Sequence, residues 1–189
     1  MIQNLKLPQW LSIVGQLCAG KSLVIQILSE WLKKNGIAFI VISSGDIAFG
    51  EIKTRTELMN ALEKSGYKKD MLVLFEGSAM NAEELILMEG LIKSHFSNSF
   101  KVLDVLANNQ FSRDRATERT AEDKRIELSK EDKPGVADHE KISAIMATWT
   151  KDANELIQNS IASGAYINVT NNSNQIELKN KLSALFLVD

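Results

Sequence analysis

A chain of 189 residues, 44% of them hydrophobic, suits one globular domain with a core of its own. Its net charge of −2 argues against a general nucleic-acid or membrane-surface binder, and no apolar run approaches the roughly 20 residues that span a bilayer. Cys18 is the single cysteine, which excludes an intramolecular disulfide and points to a reducing compartment. In chain order, Trp10-Leu-Ser-Ile-Val14 reads as a short buried strand. Gly15, Gln16, Leu17, Cys18, Ala19, Gly20, Lys21 and Ser22 follow, fitting G-x-x-x-x-G-K-[ST], and Leu23 to Leu32 then carries apolar residues at helical spacing. Phosphate binding needs this order. Glycines let successive backbone N–H groups curl around phosphate oxygens, and the new helix turns its positive end toward the same charge. Lys21 is then placed to reach the β- and γ-phosphates and the Ser22 hydroxyl to hold Mg²⁺.

Short apolar runs continue to alternate with helical patterns. Ala38 to Ser43 reads as a second strand, residues 51–66 as a helix ending at Gly66, and Met71 to Phe75 as a third strand closing on Glu76-Gly77. A helix begins at the capping residue Asn81 and runs to about Phe96, and Lys101 to Leu106 is a fourth strand. Residues 109–141 are rich in charge and poor in apolar side chains, so the segment at about 115–138 is read as a lid. A helix resumes from about Asp138 to Ser163, followed by a fifth strand, Ala165 to Val169, and a final helix, Ile176 to Leu187. Strands alternating with helices call for a mainly parallel sheet covered on both faces. The expected fold is α/β: a P-loop NTPase-like three-layer sandwich with a five-stranded parallel sheet, helices on both faces and a small lid, all in one domain.

Several side chains lie where such a sheet places its chemistry, at the carboxyl ends of the strands. Asp46, in Ser43-Ser-Gly-Asp46, can order a magnesium-bound water or accept a proton; the same residue can also simply cap the next helix. Glu76 ends the third strand and fits a magnesium-organising carboxylate, against the alternative of a solvated loop glutamate. Arg115 and Arg119 share one helix face and suit a base or phosphates, and Arg125 can reach transferring phosphoryl oxygens if the segment folds over the site. Taken alone, that stretch is also what an ordinary solvated helix looks like. His95 and His139 lack metal-ligand spacing and are read as isolated surface residues, and Cys18 as a space-filling residue.

Taken together, these motifs resemble adenylate kinase and its nucleoside monophosphate kinase relatives of the short-lid kind. The resemblance covers most of the chain: the phosphate loop, the Ser-Gly-Asp, Thr56-Glu-Leu58, Glu76-Gly77 where the family has Asp-Gly, and Arg115-x3-Arg119-x5-Arg125. It implies an ATP- and Mg²⁺-dependent kinase in which Arg115 and Arg119 frame the ATP base and phosphates and Arg125 contacts the moving phosphoryl group. The acceptor side departs from the family. Phe49 and Met80 stand where two arginines clamp the acceptor monophosphate, Ile145 replaces a lid arginine, and about ten residues are inserted near Pro134-Gly135. Neither phenylalanine nor methionine can replace a bidentate guanidinium, so Ser44, Phe49 and Met80 are read as walls of an altered acceptor pocket. Lys53, Lys68 and Lys69 are further charges that no motif places.

The expected function is transfer of the ATP γ-phosphoryl group to a nucleoside monophosphate, with Lys21, Arg125, Asp46 and Glu76 as catalytic residues and Ser22, Asp46 and Glu76 around the metal. The alternatives are a nucleoside or other small hydroxyl acceptor, or a nucleotide-binding module without transferase activity. A GTP switch is disfavoured, since no Asn-Lys-x-Asp motif is present. The partner is a small molecule, with neither nucleic acid nor membrane. The N-terminus has one early lysine and Pro8 but no signal-peptide core, so a cytoplasmic protein is expected.

Overall fold

The computed structural model describes residues 4–15, 18–43, 52, 54–77, 90–92, 94–96, 99–108, 115, 166–172 and 174–188. Its centre is a five-stranded parallel sheet of β2 (Trp10–Gly15), β3 (Phe39–Ser43), β4 (Leu72–Glu76), β5 (Phe100–Leu106) and β6 (Tyr166–Thr170), in the order β3-β4-β2-β5-β6. Every pair is parallel, with Ile13 opposite Glu76 on one side of β2 and Val14 opposite Asp104 on the other. A central strand buried on both faces has no polar side to show, and all six residues of β2 are buried.

Helices α1 (Lys21–Lys34), α2 (Arg55–Lys64) and α3 (Gln175–Phe186) are labelled in chain order. The pleat divides the core into two layers. On one face, Leu11, Ile13, Leu74, Leu103 and Val105 meet α1 (Val24, Ile27, Leu28, Trp31) and α3 (Leu178, Leu182, Phe186). On the other, Trp10, Val14, Phe75, Phe100 and Val102 meet Leu58 and Leu62 of α2 together with Ile92 and Phe96. Right-handed crossovers produce this division, because the chain leaves β2 toward β3 and returns the opposite way from β3 through β4 to β5. Adjacent strands β2 and β4 therefore send their outgoing chains to opposite faces and leave a crevice between their carboxyl ends.

The strands lie where the sequence places them, shifted by at most one residue at each end, and the final helix starts one residue earlier than read. Two readings are corrected. The helix at 51–66 is shorter, because Thr54 forms a capping box: its Oγ1 accepts from Glu57 N, and Thr54 N donates to the Glu57 carboxylate. The final helix ends at Phe186. Leu187–Val188 (β7) instead pairs antiparallel with Asn4–Leu5 (β1), a two-residue ribbon no sequence pattern announced. Of the helix expected from Asn81, only 90–92 and 94–96 are described, and these are helical. The lid at 115–138, apart from Arg115, and the helix from Asp138 to Ser163 lie outside the described residues.

Candidate functional site

The carboxyl ends of β2 and β4 lie beside a segment with three positive-φ residues. Gly15 has φ 141°, Cys18 φ 59° and Gly20 φ 100°, all on the positive-φ side that L side chains rarely adopt. A Cβ on Gly15 would strike the Val105 carbonyl of β5, and one on Gly20 would strike the Asn171 amide, so both glycines are required by close approach as well as by φ.

α1 begins directly after this turn with Gly20 at its N-cap, and no side chain caps it. Thr54 caps α2 and Asn174 caps α3, each accepting a backbone N–H from three residues on. By contrast, the start of α1, where the positive end of the helix dipole lies, has no side-chain oxygen as its cap.

Two side chains of the first turn divide the work. Lys21 is 6% exposed, and its Nζ donates to the Gly15 carbonyl at 2.9 Å, which folds the long side chain back over the loop. Ser22 is exposed, and its hydroxyl donates to Glu76 Oε1 at 3.0 Å. That bond spans the crevice, joining the start of α1 to the end of β4, while Gly77 N donates to the Ile13 carbonyl and keeps the two strand ends together. The hydroxyl and carboxylate are hard oxygen donors of the kind that hold Mg²⁺. No cluster of three or more His, Cys, Asp or Glu that could hold a metal occurs among the described residues. A hydroxyl with a single carboxylate fits Mg²⁺ nonetheless, because this ion usually keeps several waters and takes further oxygens from a substrate's phosphates.

Arg115 is the described member of the arginine series. Its Nη1 lies 3.2 Å from where a Cβ would stand on Gly20, so the guanidinium borders the final glycine of the loop. Gly15, Cys18, Ala19, Gly20, Lys21, Ser22, Glu76 and Arg115 are thus gathered at one end of the sheet. Gln16, Leu17, Ser44, Asp46, Phe49, Met80, Arg119, Arg125, Lys53, Ile145 and His139 lie outside the described residues. Lys68 and Lys69 fall in the turn that leads into β4, at the opposite edge of the sheet, which removes them from this site. His95 is not isolated. It is half-buried, Arg55 Nε donates to its Nδ1 at 3.0 Å, and its ring packs edge-on against Phe96, because the helical residues 94–96 lie alongside the start of α2.

Two buried polar groups at the site escaped the sequence reading. Asn171, 1% exposed just past β6, donates from Nδ2 to the Ala19 carbonyl at 2.7 Å and so ties the far side of the sheet to the loop. Asp104, 1% exposed on β5, accepts from the Tyr166 hydroxyl at 2.6 Å. Burial raises the Asp104 pKa above the usual carboxylate range, opposed by the Tyr166 hydrogen bond and by the positive charge of Lys21. Burial, together with the same hydrogen bond and the Asp104 charge, raises that of Tyr166. A signal for each was present: an acid interrupting the apolar run Val102 to Leu106, and a polar pair, Asn171-Asn172, at a strand's carboxyl end.

No protein-family model and no curated protein matches this sequence. Among solved structures, TT1252 from Thermus thermophilus superposes with a TM-score of 0.51 at 15% identity, over 95% of this chain and 97% of that one. At that identity the likeness concerns the fold alone. No helix among the described residues is long and apolar enough to cross a membrane.

Proposed function

We propose that this protein is an ATP-dependent phosphotransferase of the P-loop kinase type, acting with Mg²⁺ on a small acceptor, for which a nucleoside monophosphate is the leading candidate. The observation that carries this reading is the Ser22–Glu76 hydrogen bond across the crevice, with the Lys21 ammonium folded over the adjoining loop. These three residues converge from α1 and β4, and chance agreement with a loop pattern gives no reason for a carboxylate from another strand to meet its serine.

In this reading the uncapped N–H groups of α1 and the loop amides bind the nucleotide's phosphates, and Arg115 adds positive charge beside Gly20. Lys21 exchanges the Gly15 carbonyl for phosphate oxygens, and its charge offsets what accumulates on the transferring group. Ser22 and Glu76 hold Mg²⁺, which when bound neutralises phosphate charge and orients the phosphoryl group for in-line transfer. Catalysis is then mostly positioning and electrostatics. Arg125 and Asp46 complete the proposal as the phosphoryl contact and the second magnesium-organising carboxylate. The replacement of two acceptor-clamp arginines by Phe49 and Met80 favours a second acceptor class, a nucleoside or other small hydroxyl compound.

The test is ATP consumption with Mg²⁺ across nucleoside monophosphates and unphosphorylated nucleosides, with Lys21→Ala alongside. Turnover on a monophosphate that disappears in the variant is the expected result. Turnover on nucleosides alone selects the second acceptor class. ATP bound without turnover on any acceptor selects a binding module, and unchanged activity in Lys21→Ala refutes the loop assignment.

A further inference from the structure

Asn171 follows the last residue of β6, is 1% exposed, and has no part in the steps above. The segment around it is fastened to β5 and to α3. Asn171 N donates to the Leu106 carbonyl at 2.7 Å, and Asn172 Oδ1 accepts from Asn108 N at 2.7 Å, so two bonds join it to the end of β5. Lys181 Nζ of α3 donates to the Thr170 carbonyl at 3.1 Å. From this anchored segment the Asn171 side chain reaches the loop, where its Nδ2 donates to the Ala19 carbonyl at 2.7 Å.

Ala19 is fully buried, and the peptide that follows it is planar and trans. In such a unit the C=O and the next N–H point to opposite sides. Fastening the Ala19 carbonyl toward β6 therefore turns the Gly20 N–H away from β6. The fit is close: a Cβ on Gly20 would strike the Asn171 amide, so the final glycine of the loop leaves the space that this asparagine fills. The amide is kept at a cost, since its Oδ1 is buried with no hydrogen-bond partner among the described residues. A leucine of similar shape would fill the space without that cost, so packing alone does not account for an asparagine here.

We propose that Asn171 is a positioning residue for phosphate binding: by holding the Ala19 carbonyl it fixes the peptide that carries the Gly20 N–H, one of the backbone donors that meet the phosphates. It does so from a segment that β5 and α3 anchor, and it acts through the loop. The inference rests on the phosphate-loop reading. Backbone donors held in place beforehand bind an anion without the ordering cost that a loose peptide would incur.

The test is calorimetric binding of MgATP and of magnesium tripolyphosphate, a probe with phosphates and no base. It is run on the wild type, Lys21→Ala, Asn171→Leu and Asn171→Ala, with a urea midpoint for each. Leucine keeps the volume and removes both the donor and the stranded acceptor, while alanine removes the same bond and leaves space. Each Asn171 variant is expected to weaken both probes by the same factor, about fivefold or more, the scale of one lost hydrogen bond. A merely structural role predicts a lower midpoint with unchanged affinity for tripolyphosphate, and that result in either folded variant would overturn the inference. A loss confined to MgATP would overturn it by making Asn171 a reader of the base. Failure of both variants to fold would overturn it too, by making Asn171 a determinant of the fold. If the wild type binds neither probe, or Lys21→Ala binds both as tightly as the wild type, the phosphate-loop reading fails and this inference with it.

Discussion

At Gly15 the backbone makes its turn out of β2 at φ 141°, against the Val105 carbonyl of the next strand. A methyl group there meets both a conformation that L residues rarely adopt and a main-chain oxygen held in the sheet, and neither can yield cheaply. Gly15→Ala is expected to lower stability by about 1–3 kcal/mol, read from the urea midpoint at constant m-value. An unchanged midpoint would show that the turn relaxes without cost. Gly20 differs in kind, since a Cβ there meets the side-chain amide of Asn171 and the Arg115 guanidinium. The loop's shape is therefore held by β5 at its start and by residues from two distant segments at its end.

Between elements, the contact most exposed to pH is the one joining α2 to the helical residues 94–96, Arg55 Nε to His95 Nδ1. Burial, and then the Arg55 charge, lowers the His95 pKa below 6.5. The native state thus binds the proton less readily than the unfolded chain. The stability this imidazole contributes is full above about pH 6.5 and is lost as pH falls through the lowered native value. Urea midpoints measured between pH 7.5 and 5.5 should fall more in the wild type than in His95→Gln, whose amide does not titrate. Equal slopes would remove His95 from the linkage. The helix starts make a second comparison at this scale. α2 and α3 begin with capping side chains and α1 with a glycine, so α1 alone of these three has no side-chain cap at its start.

At the scale of the described molecule, two apolar layers cover the two faces of the sheet. Trp10 anchors the layer beneath α2, fully buried, with ring centroids 5.8 Å from Phe75 and 5.4 Å from Phe96. Its indole N–H donates to Ser12 Oγ at 2.9 Å, which satisfies the one polar side chain buried between them on β2. Trp10→Ala is expected to cost about 3–5 kcal/mol in urea unfolding, and a loss under 1 kcal/mol would mean the layer closes over the gap. Much of this architecture was legible beforehand. Apolar runs at strand length, helical spacing between them and glycine at the turns reflect local steric and burial rules, so the five strands and the phosphate-loop pattern emerged from residues near in sequence. The two-residue ribbon of Asn4–Leu5 and Leu187–Val188 did not, because two residues carry no periodicity. Arg55 with His95, Asp104 with Tyr166, and Asn171 with Ala19 did not either, since each pair is 40 or more residues apart and joins only when crossovers fix which strands and helices are neighbours. The sequence by itself determined the glycine turn between β2 and α1, through backbone conformations that glycine takes easily. Tertiary structure alone decided which carboxylate meets Ser22, because strand order and pleat set the partners and the face, and neither is written locally.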